Sequence, residues 1–264
     1  MKIAIIGGGV MGEALLAAAL ERHVFEPSTV TVCELIERRR LQIAAEYGVE
    51  TTSEAASAMD GADVVVLSVK PQDVASIQGN LRHTAALLSI MAGVRIATLA
   101  REFDHKRIVR VMPNTPVASK TGMSVWTATE SVSADQREFI RGLLAAVGGE
   151  IYVDDETKID MATAVSGSGP AYVFLFIEAM VDGAVNVGVP RAQAETMVLQ
   201  TVLGSAIYAK ESGRSPAELR AMVTSPGGTT AAALLELEKR AFRASVVEAI
   251  RAAHGRSVEL GSRD

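Results

Sequence analysis

Short, mostly apolar runs, several of them continuous and rich in Val and Ile, recur through the first 155 residues, at 2–6, 30–33, 64–69, 86–91, 108–112, 123–127 and 151–153. Runs that are apolar at nearly every position predict strands covered on both faces, because each side of the pleat then needs a hydrophobic side chain. Stretches of helical length lie between the early runs, at 12–22, 37–47, 53–59 and 72–79. Strand and helix in alternation predict βαβ units, and so a parallel sheet with right-handed crossovers.

Beyond Asp160 the texture changes to helix-length amphipathic stretches rich in Ala, Leu, Met and Glu, with no convincing strand. They are broken at Gly188-Val189-Pro190, Ser212-Gly213-Arg214-Ser215-Pro216 and Ser225-Pro226-Gly227-Gly228. Each break joins a helix stopper to a residue suited to opening the next helix. The pattern predicts an α/β domain over 1–155 and an all-helical domain over 156–264, with polar Asp154-Asp155-Glu156 as the connector.

Composition narrows the function classes. The 264 residues are 48% hydrophobic and carry a net charge of −5, with no basic block and only 4% aromatic residues, which argues against a nucleic-acid binder. One cysteine, Cys33, excludes an internal disulfide framework and thiolate-rich zinc sites, so no metal is expected and a reducing compartment is. The most apolar stretch, 171–181, is short for a bilayer and contains Glu178, so no membrane span is expected. Met1-Lys2 leads straight into a strand and not into a secretory helix. A cytoplasmic protein is the expectation.

Candidate chemistry begins at Gly7-Gly8-Gly9-Val10-Met11-Gly12, a G-x-G-x-x-G that follows a predicted strand and opens a predicted helix. In that context Gly7 permits the tight turn, Gly9 admits a pyrophosphate close to the backbone, and Gly12 lets helix and strand pack closely. The bare amides of the helix start, at Val10 and Met11, then face phosphates. The first domain is therefore Rossmann-like and dinucleotide-binding. Glu34, 22 residues past Gly12, ends the second strand where an acid accepts ribose hydroxyls and favours NAD. Arg38-Arg39-Arg40 follows, where one arginine could pair with a 2′-phosphate and at least two are expected on a solvated helix surface. NAD(H) and NADP(H) both stay open. Val69-Lys70-Pro71 and Met112-Pro113-Asn114-Thr115-Pro116 lie at strand ends, where Lys70 and Asn114 could bond ribose or nicotinamide.

Two loops of the second half combine glycines, hydroxyls and a following helix: Ser166-Gly167-Ser168-Gly169-Pro170 and Ser225-Pro226-Gly227-Gly228-Thr229-Thr230. Either could cradle a small anion such as a carboxylate, or serve only as well-capped helix starts. No histidine neighbours them, and Lys210 and Lys239 are the only lysines past Asp160. Such loops offer hydroxyls and amides but no strong base, which suits a C=N substrate that arrives already protonated.

The segments Ala164–Tyr172 and Val223–Thr230, with Gly12-Glu13-Ala14, Val69-Lys70-Pro71, Ala92-Gly93-Val94 and Pro113–Pro116, resemble the pyrroline-5-carboxylate reductases over nearly the whole chain. The resemblance implies reduction of 1-pyrroline-5-carboxylate to L-proline by NADPH or NADH, the last step of proline synthesis. It implies a helical dimerisation domain and dimers gathered into larger rings, such as a decamer built as a pentamer of dimers. By the same resemblance Ser225, Gly227, Gly228 and Thr229 would hold the substrate carboxylate, and Thr230 would bond the ring nitrogen as the catalytic hydroxyl. Ser166 and Ser168 would sit by the substrate and nicotinamide, and Val69, Lys70, Pro71, Ala92, Gly93 and Asn114 would line the cofactor. Many members carry Ser or Asn and then Arg after the second strand, where this chain has Cys33-Glu34-Leu35; others carry Asn where it reads Thr52-Ser53-Glu54.

Two other readings fit a two-domain dinucleotide binder. A β-hydroxyacid-type dehydrogenase would need a catalytic lysine on the first long helix of the second domain, and 171–187 has none. A non-catalytic dinucleotide sensor would bind cofactor and oxidise none of it.

Overall fold

The computed structural model describes residues 1–262, and two compact units divide them. The first holds residues 1–170 and the chain from Ala252 on; the second is Ala171–Arg251.

Eight strands form the sheet of the first unit: β1 (Ile3–Ile6), β2 (Val30–Cys33), β3 (Glu50–Thr52), β4 (Val64–Leu67), β5 (Ala86–Ser89), β6 (Ile108–Met112), β7 (Gly122–Ala128) and β8 (Gly148–Tyr152). Their order is β3-β2-β1-β4-β5-β6-β7-β8. Alternate residues serve opposite faces, as the pleat requires. Ile3, Ile5, Val64, Val66, Ala86 and Leu88 join one buried cluster, while Ala4, Ile6, Val65, Leu67 and Leu87 join the other. That is why these strands read as continuous apolar runs.

The helices of this unit are α1 (Val10–Glu21), α2 (Glu37–Tyr47), α3 (Ala55–Met59), α4 (Ile96–Phe103), α5 (Ala134–Ala146) and α6 (Thr157–Ala162). Four features depart from the sequence expectation. β7 runs antiparallel to β6, so the sheet is mixed at that pair and parallel elsewhere. β3 has the sequence Glu50-Thr51-Thr52, partly exposed on an edge strand, and so carries no apolar run. α4 and α5 were not expected, although Ser133 and Gln136 form a capping box at the start of α5. The stretch expected as a helix at 72–79 is a 3-10 turn, Pro71–Ser76.

Past α6 the chain makes a π-helical turn, Thr163–Gly167, and continues as α7 (Gly169–Asn186). The run Thr157–Asn186 is 30 residues long and, by length and composition only, is apolar enough to cross a membrane. The expectation of no such segment is corrected here, because 171–181 is only part of a helix that begins much earlier. In the second unit α8 (Arg191–Glu211), α9 (Pro216–Met222) and α10 (Thr229–Lys239) follow, and α11 (Phe242–Gly261) leads back to the first.

The first unit extends past residue 155 because of buried charge. Arg110 of β6, 2% exposed, donates to Glu156 Oε1 at 2.9 Å and to Asp160 Oδ1 at 3.3 Å. Ser257 Oγ, from α11, donates to the same Asp160 oxygen at 3.0 Å, and Arg95 Nη2 lies 3.5 Å from Asp160 Oδ2. These bonds tie α6 and the end of α11 to the sheet.

Candidate active site

At the switch in strand order, β1 lies between β2 and β4, and the crevice beyond their carboxyl ends is where ligands of such sheets bind. Gly7 leaves β1 with φ +106°, and a Cβ there would lie 2.5 Å from the Ser68 carbonyl oxygen. A Cβ on Gly12 would lie 2.2 Å from Gly7 O and 2.9 Å from Ser68 Oγ. Gly9 differs: its Cβ would meet nothing within 4 Å. Gly7 and Gly12 thus serve packing, while Gly9 keeps space open at the start of α1.

Gly8 is buried, and side chains from the next βα unit hold both its backbone groups. Its N–H donates to Glu34 Oε2 at 3.0 Å, and its carbonyl accepts from Arg39 Nη2 at 3.0 Å. Glu34 Oε1 also accepts from Ile36 N at 2.9 Å. Arg39 reaches Glu13 Oε2 at 2.7 Å, and the Tyr47 hydroxyl donates to Glu13 Oε1 at 3.3 Å. Burial, and then the Glu13 charge, push the Tyr47 phenol up to about 12, so it stays a donor. The amides at Val10, Met11 and Gly12 have no carbonyl one turn earlier to bond, as at any helix start.

Arg40 donates to the carbonyls of Glu34 and Leu35, each at 2.8 Å. The expectation that at least two of the three arginines merely face solvent is therefore corrected: Arg39 and Arg40 brace the glycine turn and the β2–α2 loop, and Arg38 alone of the three is exposed. A charged triplet gives no sign of which members will find loop carbonyls.

Val69, Lys70 and Pro71 follow β4, with Val69 against the core and Lys70 and Pro71 exposed. Ala92 is exposed beyond β5, and Gly93 takes φ +77° with a Cβ position 3.3 Å from Leu260. Asn114 is already engaged at both ends of its amide. Its Oδ1 accepts from Met123 N at 2.8 Å, and its Nδ2 donates to Ser166 O at 3.0 Å.

That second bond explains the Ser166–Pro170 segment. The sequence expectation was a loop opening a helix, but the segment is a π-turn inside a continuing helix, closed by Ser168 N donating to Thr163 O at 2.8 Å. Pro170 has no N–H to give the Ser166 carbonyl four residues back, so Asn114 supplies the donor. Ser166 Oγ bonds Ala162 O at 3.0 Å. π-turns of this kind concentrate at functional sites.

In the second unit, Ser225-Pro226-Gly227-Gly228 forms a tight turn. Gly228 N donates to Ser225 O at 3.1 Å, and Gly227 has φ +67°, as a type II turn with proline second requires. A Cβ on Gly228 would lie 2.4 Å from Ser225 Oγ, so only glycine lets that hydroxyl fold over the turn. Gly228 then caps α10 with no side-chain bond, which leaves the first-turn amides of Thr229 and Thr230 bare. Thr163, Thr196, Thr201 and Thr224 each satisfy their hydroxyl on the carbonyl four residues back. Thr230 cannot do the same in a helix, because its residue four back, Pro226, lies in the turn.

The comparisons agree with this layout. A family model for pyrroline-5-carboxylate reductase dimerisation matches residues 156–260, and one for NADP oxidoreductase, coenzyme F420-dependent, matches 2–93. A pyrroline-5-carboxylate reductase of Synechocystis is 41% identical over 266 residues, covering 100% of this chain and 99% of its own. The chain belongs to the pyrroline-5-carboxylate reductase family. The solved reductase of Coxiella burnetii superposes with a TM-score of 0.90 at 34% identity, covering 99% of this chain and 98% of its own. That of Plasmodium falciparum, solved with NADP bound, gives 0.89 at 30%, with 99% and 98% covered.

Family membership accounts for the second unit's surface. Only Val181, Ala194 and Val198 form its buried apolar cluster, while Phe174 and Leu175 are 60% and 67% exposed, and Met197, Leu199, Leu203 and Ile207 are exposed as well. A single copy cannot cover these faces, and the chain self-associates. Sequence reasoning missed Glu13, Arg39 and Tyr47 as the brace beneath the glycine turn. Glu13 immediately follows Gly12, and that adjacency is the one signal that could have found it.

Proposed function

We propose that this chain reduces 1-pyrroline-5-carboxylate to L-proline, the last step of proline biosynthesis, using a reduced nicotinamide dinucleotide. The observation that carries the reading is the Ser225–Thr230 turn. Its bare amides and its free threonine hydroxyl suit a cyclic imino acid, which offers one carboxylate and one ring nitrogen. In this reading the amides of Thr229 and Thr230 and the Ser225 hydroxyl bind the carboxylate, Gly227 and Gly228 shape the turn, and Thr230 Oγ1 accepts the N–H of the protonated imine. Ser166 in the π-turn, its carbonyl held by Asn114, and Ser168 just after it bound the substrate in this reading.

The first unit fits a dinucleotide on its own evidence: open space at Gly9, bare amides at Val10 and Met11, and a fixed acid at Glu34. Gly7 and Gly12 set the turn, and Val69, Lys70, Pro71, Ala92 and Gly93 line the remaining strand ends. The bound nicotinamide supplies the hydride. The protein's part is to hold the imine carbon for it, and positioning and electrostatics provide the rate, since an iminium needs no further proton. Purified protein, given pyrroline-5-carboxylate, should oxidise NADH or NADPH and release proline. A protein that binds cofactor and oxidises none would be the dinucleotide sensor instead.

We infer also that the dimers gather into a decamer, a pentamer of dimers, and that the enzyme works in the cytoplasm away from membranes. The decamer rests on the family resemblance alone; the reading away from membranes is supported by the free, buried Cys33 and the location of the long apolar helix inside the dimerisation match. Light scattering after gel filtration without detergent tests both points.

Gly9→Leu and Gly12→Val separate binding from folding. Gly9→Leu puts its side chain into empty space at an ordinary φ of −72°, so melting should stay unchanged while cofactor affinity falls about tenfold or more. Gly12→Val drives atoms into Gly7 O and should cost about 1–3 kcal/mol of stability. Normal cofactor titration of Gly9→Leu would remove the loop from the site.

A further inference from the structure

We propose that this chain selects NADH over NADPH, and that Glu34 is the residue that selects. The inference rests on the reductase reading and concerns the 2′-position of the adenosine ribose, where alone the two dinucleotides differ.

Glu34 follows β2 at the sheet's carboxyl edge, directly after the buried Cys33. Two backbone donors fix its carboxylate, Gly8 N–H at 3.0 Å and Ile36 N–H at 2.9 Å. Each oxygen accepts one of these and keeps acceptor capacity for a second donor. A ribose diol brings two such donors. A 2′-phosphate brings none when ionised, and carries about −1.5 to −2 charges beside a fixed anion.

A phosphate at this place would need cations, and the nearby ones are committed. Arg39 is bound to Glu13 Oε2 at 2.7 Å and to Gly8 O at 3.0 Å. Arg40 is bound to the carbonyls of Glu34 and Leu35. Freeing either would undo the brace of the glycine turn or of the β2–α2 loop. Arg38 is exposed on α2, so its charge is screened and its ordering costs side-chain entropy. Leu35, 80% exposed, and Ile36 follow Glu34 and offer apolar surface to an adenine ring in place of a cationic phosphate clamp.

Equilibrium titration of the full-length protein with NADH and with NADPH, by calorimetry in the absence of substrate, tests this. NADH should bind roughly 10- to 100-fold tighter, and added salt should narrow the gap because the discrimination is electrostatic. Glu34→Gln keeps an acceptor for Gly8 N–H and removes the charge; it should bring the two affinities to within about threefold, chiefly by tightening NADPH. Glu34→Ser is the second variant, should Glu34→Gln fail to fold, and should shift the ratio the same way. NADPH binding as tightly as NADH to the unaltered chain would overturn the proposal, as would a ratio unmoved in the folded variant. Binding of neither nucleotide would overturn the reductase reading itself.

Discussion

Asp160→Ala should destabilise the folded protein by about 3–5 kcal/mol, read as a lower midpoint in urea at a fixed protein concentration. Asp160 is almost wholly buried, and its carboxylate answers three groups: the Arg110 guanidinium at 3.3 Å, the Ser257 hydroxyl at 3.0 Å and Arg95 Nη2 at 3.5 Å. Removing it leaves Arg110, 2% exposed, with Glu156 as its one remaining carboxylate. A buried cation that loses one of its two carboxylates, while the Ser257 hydroxyl loses its acceptor, costs far more than the loss of a surface pair such as Arg141 with Glu138. Asp160→Asn keeps the shape and one acceptor oxygen, and should cost less. The loss should also loosen the end of α11, because Ser257 holds it to the sheet through this oxygen, and amide exchange near Ser257 should quicken. A loss below about 1 kcal/mol would show that the cluster is not a stability determinant.

That cluster also shows what a linear reading could and could not reach. β1, β2 and β6 were legible to within a residue because strands buried on both faces are mostly apolar, even with Thr31 in β2 and Arg110 in β6, and their Val and Ile content favours strand over helix. β3 was illegible because a three-residue edge strand with half-exposed threonines is specified by its neighbour β2, not by its own side chains. The end of the first compact unit depends on contacts just as distant. Asp154-Asp155-Glu156 looks like a connector, yet Glu156 accepts from Arg110 and from Ile96 N at 2.8 Å, contacts made across 46 and 60 residues of chain.

The candidate site divides the same way. Gly7 and Gly12 were readable because their glycine requirement is local, set by a backbone angle or a close approach. The π-turn at Thr163–Gly167 was not, since Ser-Gly-Ser-Gly-Pro has the composition of a loop. What keeps it helical is a donor from Asn114, 52 residues earlier, that fills the place of the missing proline N–H.

Thr230→Ala should lower the turnover of pyrroline-5-carboxylate about 10²- to 10³-fold while leaving the affinity for reduced dinucleotide nearly unchanged. Thr230 is the second residue of α10, half-buried, with its hydroxyl released from the back-bonding that occupies Thr163, Thr196, Thr201 and Thr224. In the proposed reading that hydroxyl accepts the N–H of a protonated ring imine, and the bond would fix which carbon faces the incoming hydride. Alanine is a good helix former and disturbs no side-chain bond of Thr230 among the described residues, so stability should hold. Thr230→Ser restores the hydroxyl and should recover most of the rate, whereas a purely steric role for the methyl group would leave the serine variant as slow as the alanine one. The effect should fall on kcat more than on KM, because the carboxylate stays bound by the turn amides while the nitrogen loses its orientation. Equal turnover in the alanine variant would remove the Thr230 hydroxyl from the chemistry and leave the proposed loop contacts to the first-turn amides of α10 and the Ser225 hydroxyl.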